Sequence, residues 1–520
     1  SVSTPSRILS FFGRLNYNLM ERYLLTVTFR ADGSSKFAPS NRWGYFPAAA
    51  LGWRMSEEAF LNDVDWLDNL KLRVSYGEVG NDGINSSLWS QNWEATSDKR
   101  YQGAVNGAFL PSYSLGADMA NKDLKWETTI TRNIGVDFGF FNSRLTGTID
   151  AYWNTTKDLL MKTAIPGITG FTSTYANVGQ TSNKGIEIAL QGVLVKTRDW
   201  NVTAGFNINF NRGKVDKLAD NVTGLYGTEW ATSSTFPKSD YVLKEGRPVG
   251  LVRGLTADGF YTTDDFTYEN GVYILKEGVA DVSSAVFPNY HLHNGMNERP
   301  AGQLAYPGMA KFKDLNDDGI INDDDVDVIG DMTPVHTGGF NINATYKNFD
   351  LGLYFNWSYG NEIYNVNKLA ALYGYKEGAV YENKLSIVKD CYKIYDVVNG
   401  ELVALTTPEQ LNAANANAKL PLAYSENGYV STLGIEDGSY LRLNTLTLGY
   451  TLPKSMLQKA GISNLRVYGS IYNVFTITGY SGIDAEVSTS TSTKTYPQLG
   501  MDWGTYPRAR SFVLGVNLSF

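Results

Sequence analysis

The stretch Asp314 to Asp325, D-L-N-D-D-G-I-I-N-D-D-D, concentrates hard oxygen donors at regular intervals. Asp314, Asn316 and Asp318 fall at positions 1, 3 and 5 of a calcium-loop pattern, with Gly319 at 6, the Ile320 carbonyl at 7, Asn322 at 9 and Asp325 at 12. Glycine at position 6 supplies the sharp turn, and Asp325 stands where a bidentate glutamate is usual. Carboxylates this dense repel one another unless a cation sits among them, which favours a structural calcium or another hard ion over a solvated acidic turn. Tyr306, Pro307 and Gly308 do not read as a helix, so the loop is expected to be structural rather than a regulatory helix-loop-helix.

Other residue types carry weaker chemistry. His291 and His293 would need further ligands from elsewhere in the fold, and an exposed pair is the simpler reading; His336, beside a strand, reads as structural. No Ser/His/Asp arrangement has support from spacing, so no enzymatic chemistry is expected. Trp89, Trp93, Tyr101 and Tyr113 in one segment, and Tyr364, Tyr373, Tyr375 and Tyr381 in another, either form stacking platforms for sugars or peptides or pack the loops onto each other or a lid. Asn207, Asn209, Asn341, Asn343 and Asn356 offer uncharged hydrogen-bond partners, suited to a neutral solute or to a plug.

These residues must be held by strands. The 520-residue chain has a mean hydropathy of -0.25 and contains no apolar run long enough for a spanning helix. Alternating barrel strands dilute their apolar content to such an average, and 33 Tyr, 24 Phe, 11 Trp and 51 Gly suit a barrel with aromatic girdles. A net charge of -8 without a basic cluster argues against nucleic acid as a partner, and the lone Cys391 excludes an internal disulfide. No linker divides the chain, and the absence of a signal peptide at Ser1 leads us to expect a processed or truncated N-terminus.

The alternation is clearest at the C-terminus. Phe512, Leu514, Val516, Leu518 and Phe520 share one strand face, opposite Ser511, Gly515, Asn517 and Ser519. Similar segments recur from Ile8 to Leu19 onwards, and include the pair Phe340–Tyr346 and Phe349–Tyr359 around Lys347 and Asn348. A helical turn capped by Ser56, with Glu57 and Glu58 in its first turn, is expected before Leu67. About thirteen or fourteen strands result. With Phe520 set in the periplasm, every brief connection falls on the periplasmic side and every long one outside, as in outer-membrane barrels. The two largest extracellular insertions are residues 214–335 and 361–436. The fold class is therefore all-β: a transmembrane antiparallel β-barrel with long extracellular loops, its apolar face on outer-membrane lipid.

The segments NRWGYFPAAALGW (Asn41 to Trp53), LDNLKLRVSYG (Leu67 to Gly77), DGSYLRLNTLTLGYTLP (Asp437 to Pro453) and Tyr506 to Phe520 resemble the C-terminal part of SusC/RagA-type TonB-dependent transporters of Bacteroidetes. So do Asp314 to Gly330 and Asn348 to Asn365. The resemblance implies a 22-stranded barrel with an N-terminal plug, a SusD-like lipoprotein lid, drive through the TonB complex, and a glycan or peptide substrate. No plug or TonB box is visible in this sequence, so the chain reads as the C-terminal portion of a larger transporter. Two other readings stay open at this stage: a transporter-like scaffold in an envelope complex, and a secreted all-β glycan-binding protein.

Overall fold

The computed structural model describes residues 6–520 apart from 92, 97–102, 107, 110–111, 220–221, 232–234, 288–298, 373–383, 424–427, 458–460 and 488–498. Its frame is one antiparallel sheet of thirteen long strands, each paired with the next in the chain. They are β1 (Ile8–Leu19), β2 (Tyr23–Ser34), β3 (Trp43–Arg54), β4 (Leu67–Asn81), β5 (Glu127–Phe140), β6 (Leu145–Lys157) and β7 (Gln180–Lys196). The series continues with β8 (Trp200–Lys217), β9 (His336–Tyr346), β10 (Phe349–Tyr359), β11 (Tyr440–Thr451), β12 (Asn464–Thr478) and β13 (Ser511–Ser519). Among the described residues β1 and β13 have one neighbour each.

Register follows from period-two patterning and tight turns. The β9–β10 hairpin pairs Tyr346 with Phe349 and Phe340 with Phe355 around Lys347, whose φ of 52° closes the connection. Every outward apolar residue on β9 thus meets an outward partner on β10. Short connections gather at one end, at residues 20–22, 141–144, 197–199 and 347–348, with aromatic pairs beside them. Trp200 and Tyr346 lie 4.4 Å apart between ring centroids, and Phe349 and Tyr450 4.7 Å. This is the periplasmic belt of an outer-membrane barrel.

Several boundaries differ from expectation. Residues 35–42, on the extracellular side, form a shorter connection than residues 55–66 and 452–463 on the periplasmic side, so the sorting by length has one exception. The turn after β3 is a 3-10 turn, Met55–Glu57, preceded by Arg54 with no side-chain cap. Ser56 lies inside it. Glu58 instead accepts from the Tyr23 hydroxyl at 2.6 Å and the Trp53 indole at 3.0 Å, tying the turn to the ends of two strands. Strand β8 runs to Lys217 and β11 begins at Tyr440, so the large loops span residues 218–335 and 360–439. The ladder continues for a few residues above the apolar band, where composition no longer marks it.

The sheet's outward face carries exposed apolar side chains: Phe206 is 38% and Leu514 89% accessible. The inward face of the same strands is polar and holds ion pairs. Arg73 on β4 makes a bidentate bridge to Asp137 on β5 and reaches over it to Asp150 on β6 at 3.0 Å. Between them a Cβ at Gly135 would fall onto the Asp150 carboxylate and the Arg73 guanidinium. On the same inward face, at β10 to β12, Arg466 bridges Asp350, and Gly449 lies beneath that pair in the same manner. Glycine here keeps the space open for a bridge that skips a strand. The main apolar clusters lie in the extracellular loops rather than within the wall.

Placing arginine at Phe206 or Leu351, both outward, should cost about 2–4 kcal/mol near the bilayer midplane, whereas lumen-facing Asn207→Arg should be tolerated. Denaturant-dependent folding into lipid vesicles measures this, and equal cost on both faces would reverse the assigned facing.

Candidate functional site

The extracellular ends of β8 to β13 carry loops that fold together. Loop 218–335 forms a four-stranded sheet from Leu225–Gly227, Tyr241–Leu243, Leu251–Gly254 and Asp327–Asp331. It joins loop 360–439 through the parallel pair Phe236 and Tyr429 and a bridge between Leu255 and Ser431. Side chains close the same seam: Thr263 donates to Asn412 at 2.7 Å, and the Tyr273 hydroxyl to the Thr406 carbonyl at 3.0 Å. Buried under it are Tyr273, Tyr306, Phe312 and Tyr429, drawn from both loops. Loop 479–510 enters through Met501–Asp502, which pairs with Glu362–Asn365 beside Ile435–Asp437. Three loops far apart in sequence therefore make one apolar-cored cap.

The acidic loop sits at this cap's surface. Asp314 accepts from the Asp318 and Gly319 amides at 3.3 and 2.7 Å, and Gly319 takes a φ of 85° as the turn requires. Asp318 accepts from the Ile320 amide at 2.9 Å and the Asn316 side chain at 3.0 Å. The first of these, then the second, holds the Asp318 carboxyl below its ordinary pKa. The Asn322 side chain donates to the Ile320 carbonyl at 3.1 Å. Asp325 differs from the rest. It is wholly buried, and its two oxygens accept from the Leu315 and Asn322 amides at 2.7 and 2.8 Å, capping the turn Asp323–Asp325. Ile320–Ile321 pairs with Asp281–Val282, which anchors the loop to the cap core through buried Ile321. Among the described residues no group of three or more His, Cys, Asp or Glu side chains converges as a metal site. The fit is thus partial: Asp314, Asn316 and Asp318 line the exposed rim, while Asp325 is engaged by backbone.

The aromatic candidates separate. Tyr364 is fully buried between Trp230 and Tyr241 and belongs to the cap core. Trp89 is half-buried. Trp93 and Tyr113 share one face of a hairpin and are 66% and 62% exposed. Tyr101, Tyr373, Tyr375, Tyr381, His291 and His293 lie outside the described residues. His336 is a strand residue whose Nδ1 accepts from the Trp357 indole at 3.0 Å. In the lumen wall Asn343 donates to Asn341 at 3.1 Å, and Asn356 to the Tyr440 hydroxyl at 3.3 Å.

Sequence reasoning missed a buried ionic cluster. Arg442 on β11, almost fully buried, bridges Asp484 and lies 3.2 Å from Glu486, which also pairs with Arg508 at 2.8 Å. The cluster pins loop 479–510 to the wall. An arginine at an inward strand position was the available signal; its partners forty residues on were not. Burial opposes ionisation of Asp484, but the Glu486 amide and the Arg442 guanidinium outweigh it and hold the carboxyl below its usual pKa.

Wall, belt and cap together define an outer-membrane β-barrel with a folded extracellular cap. Comparison agrees with that class: the family model described as TonB dependent receptor-like, beta-barrel matches residues 2–474. The chain belongs to this family, whose members are transporters rather than enzymes and stand in the outer membrane of Gram-negative bacteria. It is 32% identical to TonB-dependent receptor SusC of Bacteroides thetaiotaomicron over 527 residues, covering 100% of this chain and 44% of that protein. It is 31% identical to TonB-dependent receptor P3 of Formosa agariphila over 529 residues, covering 100% of this chain and 46% of that protein. A solved structure of the RagAB peptide transporter superposes with a TM-score of 0.73 at 25% identity, covering 99% of this chain and 48% of that one. The chain spans about half the length of the curated relatives it matches.

Arg442→Ala strands the Asp484 charge, while Glu486 keeps Arg508, and should cost about 3–5 kcal/mol, the loss expected for one partner of a buried pair. Faster hydrogen exchange at Ile483 to Glu486 is the readout. Because the Asp484 pKa is depressed by folding, its contribution is complete above the unfolded value of about 3.9 and is lost as pH falls through the lower folded one. The same amides should therefore open in strong acid and stay closed at neutral pH.

Proposed function

We propose that this chain is the C-terminal barrel portion of a TonB-dependent nutrient importer that takes up oligosaccharides or peptides with a SusD-like lipoprotein lid. The observation that carries the proposal is a polar, ion-paired wall continuous with a cap in which three extracellular loops contribute to one apolar cluster. Such a cap is too well packed to be a set of surface loops and too far from the periplasm to serve folding of the barrel's turns. It offers a shaped surface at the mouth of the pore. The similarity to SusC and to a RagAB peptide transporter supports the choice of substrate classes. Energy would come from the TonB complex acting on a plug outside this chain, and no covalent chemistry is assigned to it. In cells carrying the whole transporter, Trp93→Ala with Tyr113→Ala should reduce uptake of labelled substrate or capture of the lid at least several-fold. Wild-type uptake in a strain lacking TonB should vanish, and TonB-independent uptake would overturn the proposal.

The loop from Asp314 to Asp325 takes, in this reading, one structural calcium through Asp314, Asn316, Asp318, the Ile320 carbonyl, Asn322 and Asp325. Its spacing and the left-handed Gly319 support the assignment; occupancy by Asp325 requires it to exchange its amide partners for the ion. Calorimetric titration should show calcium uptake that Asp318→Asn weakens. No heat of binding to the folded protein would exclude the ion.

A further inference from the structure

The outward face holds a row of residues that lies apart from both the lumen and the cap. Cross-strand pairing sets Tyr76 beside Arg132, Arg132 beside Trp153, Trp153 beside Lys184, and Lys184 beside Arg212, across β4 to β8. Two residues nearer the periplasm on these strands lie Val74, Ile134, Ala151, Ile186 and Phe210, the top of the lipid-facing band. From Trp200 in the periplasmic belt to Phe210 is about the 9–11 residues a tilted strand needs to cross the hydrocarbon. Lys184 and Arg212 therefore stand at the headgroup level of the outer leaflet.

Their charge is not answered by the protein. Lys184 and Arg212 face each other directly, an arrangement that destabilises a sheet unless an anion lies between them. Among the described residues neither has a carboxylate within ion-pair distance, and the Lys184 side chain makes no hydrogen bond. The acids nearby are engaged elsewhere: Glu78 with the Tyr76 hydroxyl, and Asp216 with Lys214 at 3.1 Å and with Ser182 and Gln180. Arg212 is aimed by its 2.6 Å bond to the Pro334 carbonyl. Trp153, Ile186, Phe210 and Val335 line a shallow apolar groove at the feet of both cations.

We propose that this row binds the phosphate of an acylated, phosphorylated glycolipid of the outer leaflet. Lys184 and Arg212 hold the phosphate by charge-assisted hydrogen bonds, Arg132 extends the positive row to the next sugar, and an acyl chain lies along Ile186, Phe210 and Val335. The Trp153 ring, between Arg132 and Lys184, gives the sugar an aromatic face.

The test uses the full-length transporter extracted from outer membranes in mild detergent, with retained lipid counted by native mass spectrometry. Wild type should keep the phosphorylated glycolipid, and Lys184→Gln with Arg212→Gln should lose it at least tenfold. Lys196→Gln, at the periplasmic end of β7, should not. Folding of each variant is read from heat-modifiable electrophoretic mobility; should the double variant fail to fold, Lys184→Gln alone serves. In add-back to delipidated wild type, the phosphorylated glycolipid should bind and its enzymatically dephosphorylated form should not. Equal retention by the variants, equal binding of the dephosphorylated form, or preference for phosphatidylglycerol would each overturn the proposal.

Discussion

Hydrocarbon offers no hydrogen-bond partner, so each amide and carbonyl of a strand in a bilayer must be met by a neighbouring strand. The thirteen-strand sheet meets that demand from β2 to β12 by pairing each stave with the next in the chain. Strands β1 and β13 meet it on one side only among the described residues. In a membrane those two edges need further staves, which accords with relatives about twice this chain's length. The alternating sequence follows from the same demand, since a fully paired strand leaves only its side chains to choose between lipid and lumen.

That division frees the inward face for charge. Arg73 and Arg466 each reach a carboxylate on another stave, and Gly135 and Gly449 lie beneath because any side chain there would occupy the bridge. In the lumen these pairs stiffen the wall without disturbing the apolar band outside. The long loops solve a different problem. They have no bilayer to organise them, so they carry their own core of Tyr273, Tyr306, Phe312 and Tyr429.

The wall was legible in the sequence and the cap was not, for one reason. A hairpin such as Phe340–Phe355 declares itself locally, through period-two alternation and a tight turn at Lys347. The cap's strands are two to five residues long, too short for a clear period, and partners such as Phe236 and Tyr429 are separated by whole strands of the wall. Tyr364 illustrates the consequence: its type suits a binding platform or a core, and only its burial beside Tyr241 decides for the core. Ser56 failed as a cap because Tyr23 and Trp53 recruit Glu58 and fix the turn's start at Arg54. The spacing from Asp314 to Asp325 suggests a calcium loop with a sharp turn at Gly319, yet nothing in it reveals that Asp325 is buried and bound to amides.

The extracellular loops fall into two groups drawn from contiguous staves. Loops 35–42, 82–126 and 158–179 join through Phe37, Ile84, Leu124 and Trp126, the Trp126 indole bond to the Arg42 carbonyl at 3.0 Å, and the pairing of Ser173 with Asp118. Loops 218–335, 360–439 and 479–510 form the cap. The division falls between β7 and β8, two strands joined at the periplasmic end by residues 197–199 and carrying different loop groups at the other. Relative motion of the two groups would load this junction first, because backbone pairing in the bilayer forbids β7 and β8 from parting. Lys184 and Arg212 repel across that same junction. An anion held between them would turn the repulsion into a clamp at the height where the loops leave the membrane, so what binds on the lipid side would bear on how the extracellular groups are held together.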